Sequence, residues 1–414
     1  MRIGVAFFGE GMERETKLLH LAEQYPEFKG ATQVPIFQTS AFAHESAEAL
    51  EAVFAGTKAG FAYTRIGNPT VNHFELCMAQ LEGGFAATAC SSGSAAIACT
   101  LLNILKTGDE IIVPTGLYGG TLDFFKDIGP LGIRAVFAED FSAENVRRYI
   151  TDNTRAIFAE ASGNPKLNVV DITALAALAH SYDIPLIIDS TTATPVLVNP
   201  LQLGADLVIH SSSKYINGNG SAISGVIVDG ASYNWNNGKY EHFGDYPRFG
   251  KMAFTARLKN SVWRDIGACL APMNAFLNSN GLETLSLRME RICANAKALA
   301  DFLTVYGEVN YPYFRYRSLC EQQFYQGMAG GILTLRLGTK ERAFRVINRL
   351  QFALNASNIG DSKTLVVHPA STIFAHSTKE QQAQAGVFDD MIRISVGIEN
   401  IADLLADFEN ALKE

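Results

Sequence analysis

The chain has no CxxC pair and no ladder of cysteine spacings; Cys77, Cys90, Cys99, Cys269, Cys293 and Cys320 are scattered through 414 residues. That excludes a disulfide-stapled scaffold and points to small buried thiols in a reducing compartment. The eight histidines, His210 and His368 among them, lie too far apart for ligand spacing, so no metal is implied and a structural role is expected for each. A basic stripe is also missing. With 34 Lys and Arg against 42 Asp and Glu the net charge is −8, which argues against nucleic acid as the main partner. It leaves room for anionic ligands held by backbone N–H groups.

Long membrane-type runs are absent as well. Residues 83–105 carry no charge, but Thr88, Ser91, Ser92, Ser94, Thr100 and Asn103 are groups that a bilayer core penalises. Residues 1–11 (MRIGVAFFGEG) offer one Arg and an apolar run too short for an export signal, with Met12 an alternative start. A cytoplasmic protein without membrane partners is expected. No repeat, low-complexity tract or heptad run is visible.

What is present is the composition of a globular enzyme, 48% hydrophobic and 18% charged, in a chain long enough for two or more domains. Residues 12–60 read as an extended arm and then a helix over 46–56 (SAEALEAVFAG) that stops at Gly56. YTRIGNPT (63–70) reads as a polar loop with a turn at Asn-Pro. Next, CSSGSAAI (90–97) leads into a helix with Ile97, Leu101, Leu102 and Leu105 as its apolar positions. Small residues and a glycine at a helix start open backbone N–H groups to an anion, although a plain serine N-cap fits equally well.

From there to about residue 230, strand-like runs (110–113, 135–137, 156–159, 186–188, 207–209 and 225–228) alternate with helical stretches (120–128, 143–150 and 172–181). This predicts a three-layer α/β domain with a mostly parallel sheet. A polar and aromatic insertion over 230–262 has no clear period and fits a lid or an oligomer contact. Beyond about 263 a second unit begins: a long helical pattern that follows NGLETL (280–285) to about 306, a strand over 331–337, a helix over 340–352, strands over 365–368 and 392–396 and a closing helix over 401–412 predict a smaller α+β domain. The expected division is an arm over 1–62, a large domain over 63–262 and a C-terminal domain over 263–414.

The richest stretch is 183–215, DIPLIIDSTTATPVLVNPLQLGADLVIHSSSKY. Two short apolar runs end at Asp189 and at His210-Ser211-Ser212-Ser213-Lys214, as strands buried in a parallel sheet do. Ligands bind at the C-terminal ends of such strands. A carboxylate, an amine and hydroxyls would then meet in one crevice. Pyridoxal 5'-phosphate (PLP) needs such a set. Its aldehyde takes an amine, its ring nitrogen needs a carboxylate, its phosphate needs a helix start, hydroxyls and an arginine, and its ring needs a stacking partner. Lys214, Asp189, Ser211, Ser213, Gly93, Ser94, Arg65 and Tyr118 supply every requirement.

The motifs YTRIGNPT (63–70), SSGSAAI (91–97), LYGGT (117–121), SGNP (162–165), DSTTATP (189–195), HSSSKY (210–215), GLETL (281–285), VVHPAST (366–372) and RISVGIE (393–399) stand in an order that resembles the PLP enzymes of Cys/Met (trans-sulfuration) metabolism. The resemblance runs from about residue 16 to the C-terminus. It implies the type I PLP-transferase fold, a large three-layer α/β domain plus a smaller α+β domain. It implies that Lys214 forms the Schiff base and then moves protons, that Asp189 holds the pyridinium, and that Tyr118 stacks on the ring and assists the leaving group. Gly93, Ser94, Ser211 and Ser213 would hold the phosphate, with Tyr63 and Arg65 completing that site from a neighbouring subunit of a dimer or tetramer. Asn164 would contact the ring hydroxyl or the substrate. Arg393, helped by Asn358 and Tyr63, would bind the substrate carboxylate.

Within the family, RDIGACLAPMNAFL (264–277), NIGDSKTLVVHPAST (358–372) and the 230–262 insertion resemble the O-acetylhomoserine sulfhydrylases. The implied reaction is γ-replacement of acetate by sulfide or methanethiol. Methionine γ-lyases share the early steps but generally carry a Cys where this chain has Gly120; cystathionine synthases and lyases are a further alternative. A degenerate fold serving as a regulator is disfavoured by the presence of both Lys214 and Asp189. Ser213, Asn219 and Ile373-Phe374 depart from the family's usual Thr, His and Thr-His, which bears on substrate preference.

Overall fold

The computed structural model describes residues 13–20, 28 and 30–413. The readings of residues 1–11 and of Met12 as a start lie outside them. Seven strands form the larger sheet: β1 (Ala86–Cys90), β2 (Glu110–Pro114), β3 (Arg134–Ala138), β4 (Thr154–Glu160), β5 (Leu186–Asp189), β6 (Leu207–His210) and β7 (Gly225–Asp229). Their spatial order is β1-β7-β6-β5-β4-β2-β3. β7 runs antiparallel to β1 and β6, and the remaining pairings are parallel. The mostly parallel sheet expected from the alternation is therefore present.

The central strands are buried along their whole length because helices cover both faces. Side chains alternate between the two layers: Ile188 and Val208 join one core with Phe74 and Met78, while Ile187 and Ile209 join the other with Leu101 and Phe158. Asp189, two residues after Ile187, faces the second layer. That places it toward the helix Gly93–Ile104, whose packing on β6 and β7 completes the cavity floor.

The sequence reading passed over several elements, among them one strand and one helix of the large domain. β1 is AATAC, and alanine disfavours strands; pairing with β7 overrides that preference. The polar loop at Asn68-Pro69 is the start of a helix, Pro69–Glu82, in which the Asn68 side chain caps the Thr70 N–H and Pro69 takes the first turn. One helix is also shorter and more broken than expected. The 143–150 stretch is one α-helical turn, Ala143–Val146, followed by a 3-10 turn, Arg147–Tyr149. The helix expected from about 280–285 to 306 is Leu285–Leu303, and a further helix, Pro272–Glu283, precedes it and ends at Thr284.

The 230–262 insertion is packed structure. Trp235 stacks on Phe243 at 4.9 Å and on Phe254 at 5.3 Å, and all three are buried. Arg257 from the helix Ala253–Asn260 donates to the Asn103 side chain and carbonyl, both at 2.6 Å, pinning the insertion to the end of Gly93–Ile104.

The smaller sheet contains β8 (Glu308–Asn310), β9 (Ile332–Arg336), β10 (Leu354–Asn355), β11 (Leu365–Val367) and β12 (Met391–Ser395), in the order β10-β11-β12-β9-β8. Helices Leu285–Leu303 and Lys340–Arg349 pack on it, and Ile401–Leu412 packs on those two helices. β12 is its fully buried middle strand and carries Arg393 opposite Thr334 and Val367. The two sheets meet where Gly360 (φ +72°) lies against the backbone of Lys214 and Tyr215; a Cβ there would stand 2.5 Å from the Tyr215 nitrogen.

Candidate active site

At the C-terminal ends of β4, β5 and β6 lies a cavity of about 220 Å³. Gly93, Ser94, Tyr118, Asn164, Asp189, Ser211, Ser213, Lys214, Asn358 and Arg393 all line it, so ten of the residues singled out from sequence converge. Tyr63 and Arg65 do not line this chain's cavity. Tyr63 is exposed, and the Arg65 guanidinium donates to the Arg264 carbonyl at 2.8 Å.

The anion end is built by the start of Gly93–Ile104. Ser92 is the N-cap, its hydroxyl taking the Ala95 N–H at 3.0 Å. The amides of Gly93 and Ser94 therefore precede the helix's own ladder and face the cavity with the positive end of the dipole. Both readings of the serine cluster hold together, since the cap fixes the amides that an anion would use. Gly93 is required by close approach: a Cβ would lie 2.5 Å from that of Ser211. Ser211 is itself held by its N–H on the Thr191 hydroxyl, 2.7 Å. The Ser213 hydroxyl is engaged with the Ser224 backbone, donating to its carbonyl at 2.9 Å and accepting its N–H at 2.8 Å.

Asp189 closes the floor. Burial pushes its carboxyl up from the ordinary value, offset by hydrogen bonds from Thr191 and by the charge of His210. The Thr191 N–H reaches Asp189 Oδ1 at 2.9 Å. His210 itself is fully buried against Glu82 at 2.6 Å, the structural partnership expected for it. His368 likewise bonds Ser371 at 2.8 Å and the Asp389 carbonyl at 2.7 Å.

Sequence reasoning missed Glu160. The parallel register sets it opposite Asp189 on the neighbouring strand and the same sheet face. Burial and the Asp189 charge push its carboxyl up to about 8. Its two oxygens accept the N–H groups of Tyr118 at 2.7 Å and Asn164 at 3.2 Å. The one signal in the sequence was its place at the end of a strand, as for Asp189, which by itself does not mark a site. Ile223, Ser357 and Ile373 also line the cavity and were not assigned to it from sequence.

The amine and the guanidinium complete the set. Lys214 Nζ donates to Asn358 Oδ1 at 2.6 Å, and burial together with the Arg393 charge pulls its basicity down. A lysine so shifted holds more of the neutral, nucleophilic form. Arg393 is buried at 3% exposure, and its terminal nitrogens donate to two neutral oxygens, Asn164 Oδ1 at 3.2 Å and the Asn358 carbonyl at 2.9 Å. Its Nε has no partner among the described residues. Burial alone lowers it to about 10. A buried cation bonded only to neutral groups, beside a cavity, has no counter-charge among the described residues and is suited to an anionic group.

These groups fit PLP. Arg393 offers a cation to an amino-acid carboxylate, Gly93 and Ser94 offer helix-start amides to a phosphate, and Asp189 and Lys214 line the same cavity. No group of three or more His, Cys, Asp and Glu among the described residues is placed to hold a metal ion. No helix among them is long and apolar enough to cross a membrane.

Comparison with known proteins agrees with this chemistry. A family model described as Cys/Met metabolism PLP-dependent enzyme matches residues 15–413. The chain is similar to an O-acetyl-L-homoserine sulfhydrylase of Leptospira meyeri, with 38% identity covering 98% of each chain. It is also similar to an L-methionine gamma-lyase of Pseudomonas putida, with 36% identity covering 96% of each. Among solved structures, a Campylobacter jejuni protein assigned as an O-acetylhomoserine (thiol)-lyase superposes with a TM-score of 0.92 at 33% identity, covering 97% of this chain and 100% of that one. That crystal structure contains N'-pyridoxyl-lysine-5'-monophosphate.

Proposed function

The chain belongs to the Cys/Met metabolism family of PLP-dependent enzymes, and on that premise we propose that it replaces the acetoxy group of O-acetyl-L-homoserine with sulfide or methanethiol. The products are homocysteine or methionine, with acetate. The observation that carries this reading is the buried Arg393, with an unpaired Nε, beside the Lys214 amine in one cavity. One carboxylate anchor and one amine suit an α-amino acid.

PLP, when bound, supplies an electron sink for negative charge developing at the substrate's Cα and Cβ. Asp189 holds the proton on the ring nitrogen. Lys214 would hold PLP through its amine and, freed when the substrate amine takes its place, would take the proton from Cα, pass it on to the cofactor, take one from Cβ, and return both once the thiol has added. Arg393 and Asn358 hold the carboxylate so that the Cα–H faces Lys214. Tyr118 stacks on the ring and hydrogen-bonds the departing acetate oxygen. Asn164 steadies the ring hydroxyl, while the Gly93 and Ser94 amides with Ser211 and Ser213 hold the phosphate.

Two features favour the transferase with a small thiol. Lys214 and Arg393 are the cations among the described lining residues, so no second anchor is offered to an acceptor's own carboxylate. Ile223 and Ile373 add apolar wall suited to a sulfur nucleophile. Gly120, where lyases of the family generally carry a cysteine, points the same way. Tyr63 and Arg65, remote from this chain's cavity, would complete the phosphate site of a second copy, making a dimer the minimal unit and a tetramer the expected assembly.

Methionine alone distinguishes this from the lyase reading. The purified protein should give no 2-oxobutanoate from methionine; rapid 2-oxobutanoate release would replace the transferase with a γ-lyase.

A further inference from the structure

We propose that Glu160 is a positioning residue, a buried carboxyl that ties the Tyr118 loop to the Asn164 loop and thereby fixes the ring-stacking wall over Asp189. The inference rests on the reading that Tyr118 and Asn164 hold the cofactor ring. Tyr118 stands at the N-cap of the helix Gly119–Ile128, where no side chain caps the helix. Its own N–H goes to Glu160 Oε1 at 2.7 Å, while Oε2 takes the Asn164 N–H at 3.2 Å. One side chain on the rigid end of β4 therefore anchors both loops.

The connection continues across the cavity. Asn164 Oδ1 accepts from Arg393, the Asn358 carbonyl accepts from Arg393, and Asn358 Oδ1 accepts from Lys214. The stacking wall, the carboxylate receptor and the amine thus lie on a single line of hydrogen bonds with Glu160 between Tyr118 and Asn164. A carboxyl is suited to this junction because it offers two acceptor oxygens to two N–H donors. An amide of the same shape offers one oxygen and turns an NH₂ group against the other donor. The elevated proton affinity of Glu160 agrees with its place beside Asp189, since two adjacent carboxylates resist simultaneous charge.

The test uses Glu160→Gln holoenzyme, read through the cofactor without substrate, so that its outcome is independent of which thiol-transfer or elimination reaction the enzyme performs. The expected result is a folded protein whose PLP dissociation constant rises about tenfold and whose visible circular dichroism is markedly reduced. The same substitution in a Tyr118→Ala background should change PLP affinity by less than half as much on a logarithmic scale, because the wall it positions is already gone. Unchanged cofactor dichroism and affinity in folded Glu160→Gln, or full additivity with Tyr118→Ala, would overturn the proposal. If Glu160→Gln does not fold, hydrogen exchange of the unaltered holoenzyme decides. Tyr118 and Asn164 amides protected like those of β4 support the anchor, and exchange as fast as in open loops overturns it.

Discussion

Lys214 Nζ donates to Asn358 Oδ1 at 2.6 Å across 144 positions of sequence. The carbonyl of the same asparagine accepts from Arg393 at 2.9 Å. One residue thus touches both the amine proposed to react with the aldehyde and the guanidinium proposed to receive the carboxylate. Gly360, two residues on, permits the contact by lying directly against the Lys214–Tyr215 backbone. Asn358→Ala should therefore lower kcat/KM for O-acetylhomoserine by about ten- to a hundredfold, the cost of freeing a buried charged donor. Steady-state kinetics check it, and a change under twofold would remove Asn358 from the site.

Arg393→Lys should raise KM for the amino acid by about two orders of magnitude while the cofactor band persists. A lysine keeps the charge but loses the planar fork that meets a carboxylate with two donors. Absorbance and initial rates, measured on the same preparation, separate the two effects.

Gly93→Ala tests the anion end. Its new Cβ would meet Ser211 Cβ at 2.5 Å and Cα at 2.9 Å, so the loop after β6 or the helix start must shift. PLP affinity should fall more than about tenfold, whereas Gly83→Ala, with open space around its Cβ but a positive φ of 67°, should cost about 1 kcal/mol of stability and leave PLP affinity unchanged. Equilibrium dialysis and chemical denaturation measure the pair.

A good part of this site was legible in the sequence, for an identifiable physical reason. Asp189 and Lys214 follow short apolar runs that only a buried parallel strand explains, and the helix Ile172–Ser181 has the bounds that its apolar spacing and Asp171 cap dictate. Glu160 escaped because a lone acid at a strand end has no distinctive neighbours until the register sets it against Asp189. β1 escaped because its stability comes from pairing with β7, which alanine-rich residues do not announce. Arg393 was reached only through the RISVGIE motif, because its burial and its neutral partners come from strands and loops far apart in the sequence.

Glu160 also gives a pH signature. Its folded-state value, about 8, lies above the ordinary 4.5, so between these values the folded protein binds more protons than the unfolded chain. This carboxyl's contribution is fully present below pH 4.5, is lost as pH rises toward 8, and is level above it. Asp189 shifts in the same direction, while Lys214, lowered from 10.5, acts oppositely at higher pH. The difference between the parent protein and Glu160→Gln isolates the effect. In cofactor-free protein, urea midpoints of the parent should fall more steeply from about pH 5 to 8 than those of the variant. Parallel curves would contradict the assignment.

The central claim is a transfer to sulfur at Cγ, and product analysis with O-acetylhomoserine tests it most directly. The purified holoenzyme, given this substrate with and without sulfide, should release homocysteine and acetate in equal amounts when sulfide is present and neither at a comparable rate when it is absent. Release of 2-oxobutanoate at the same rate with or without sulfide, and without homocysteine, would contradict it.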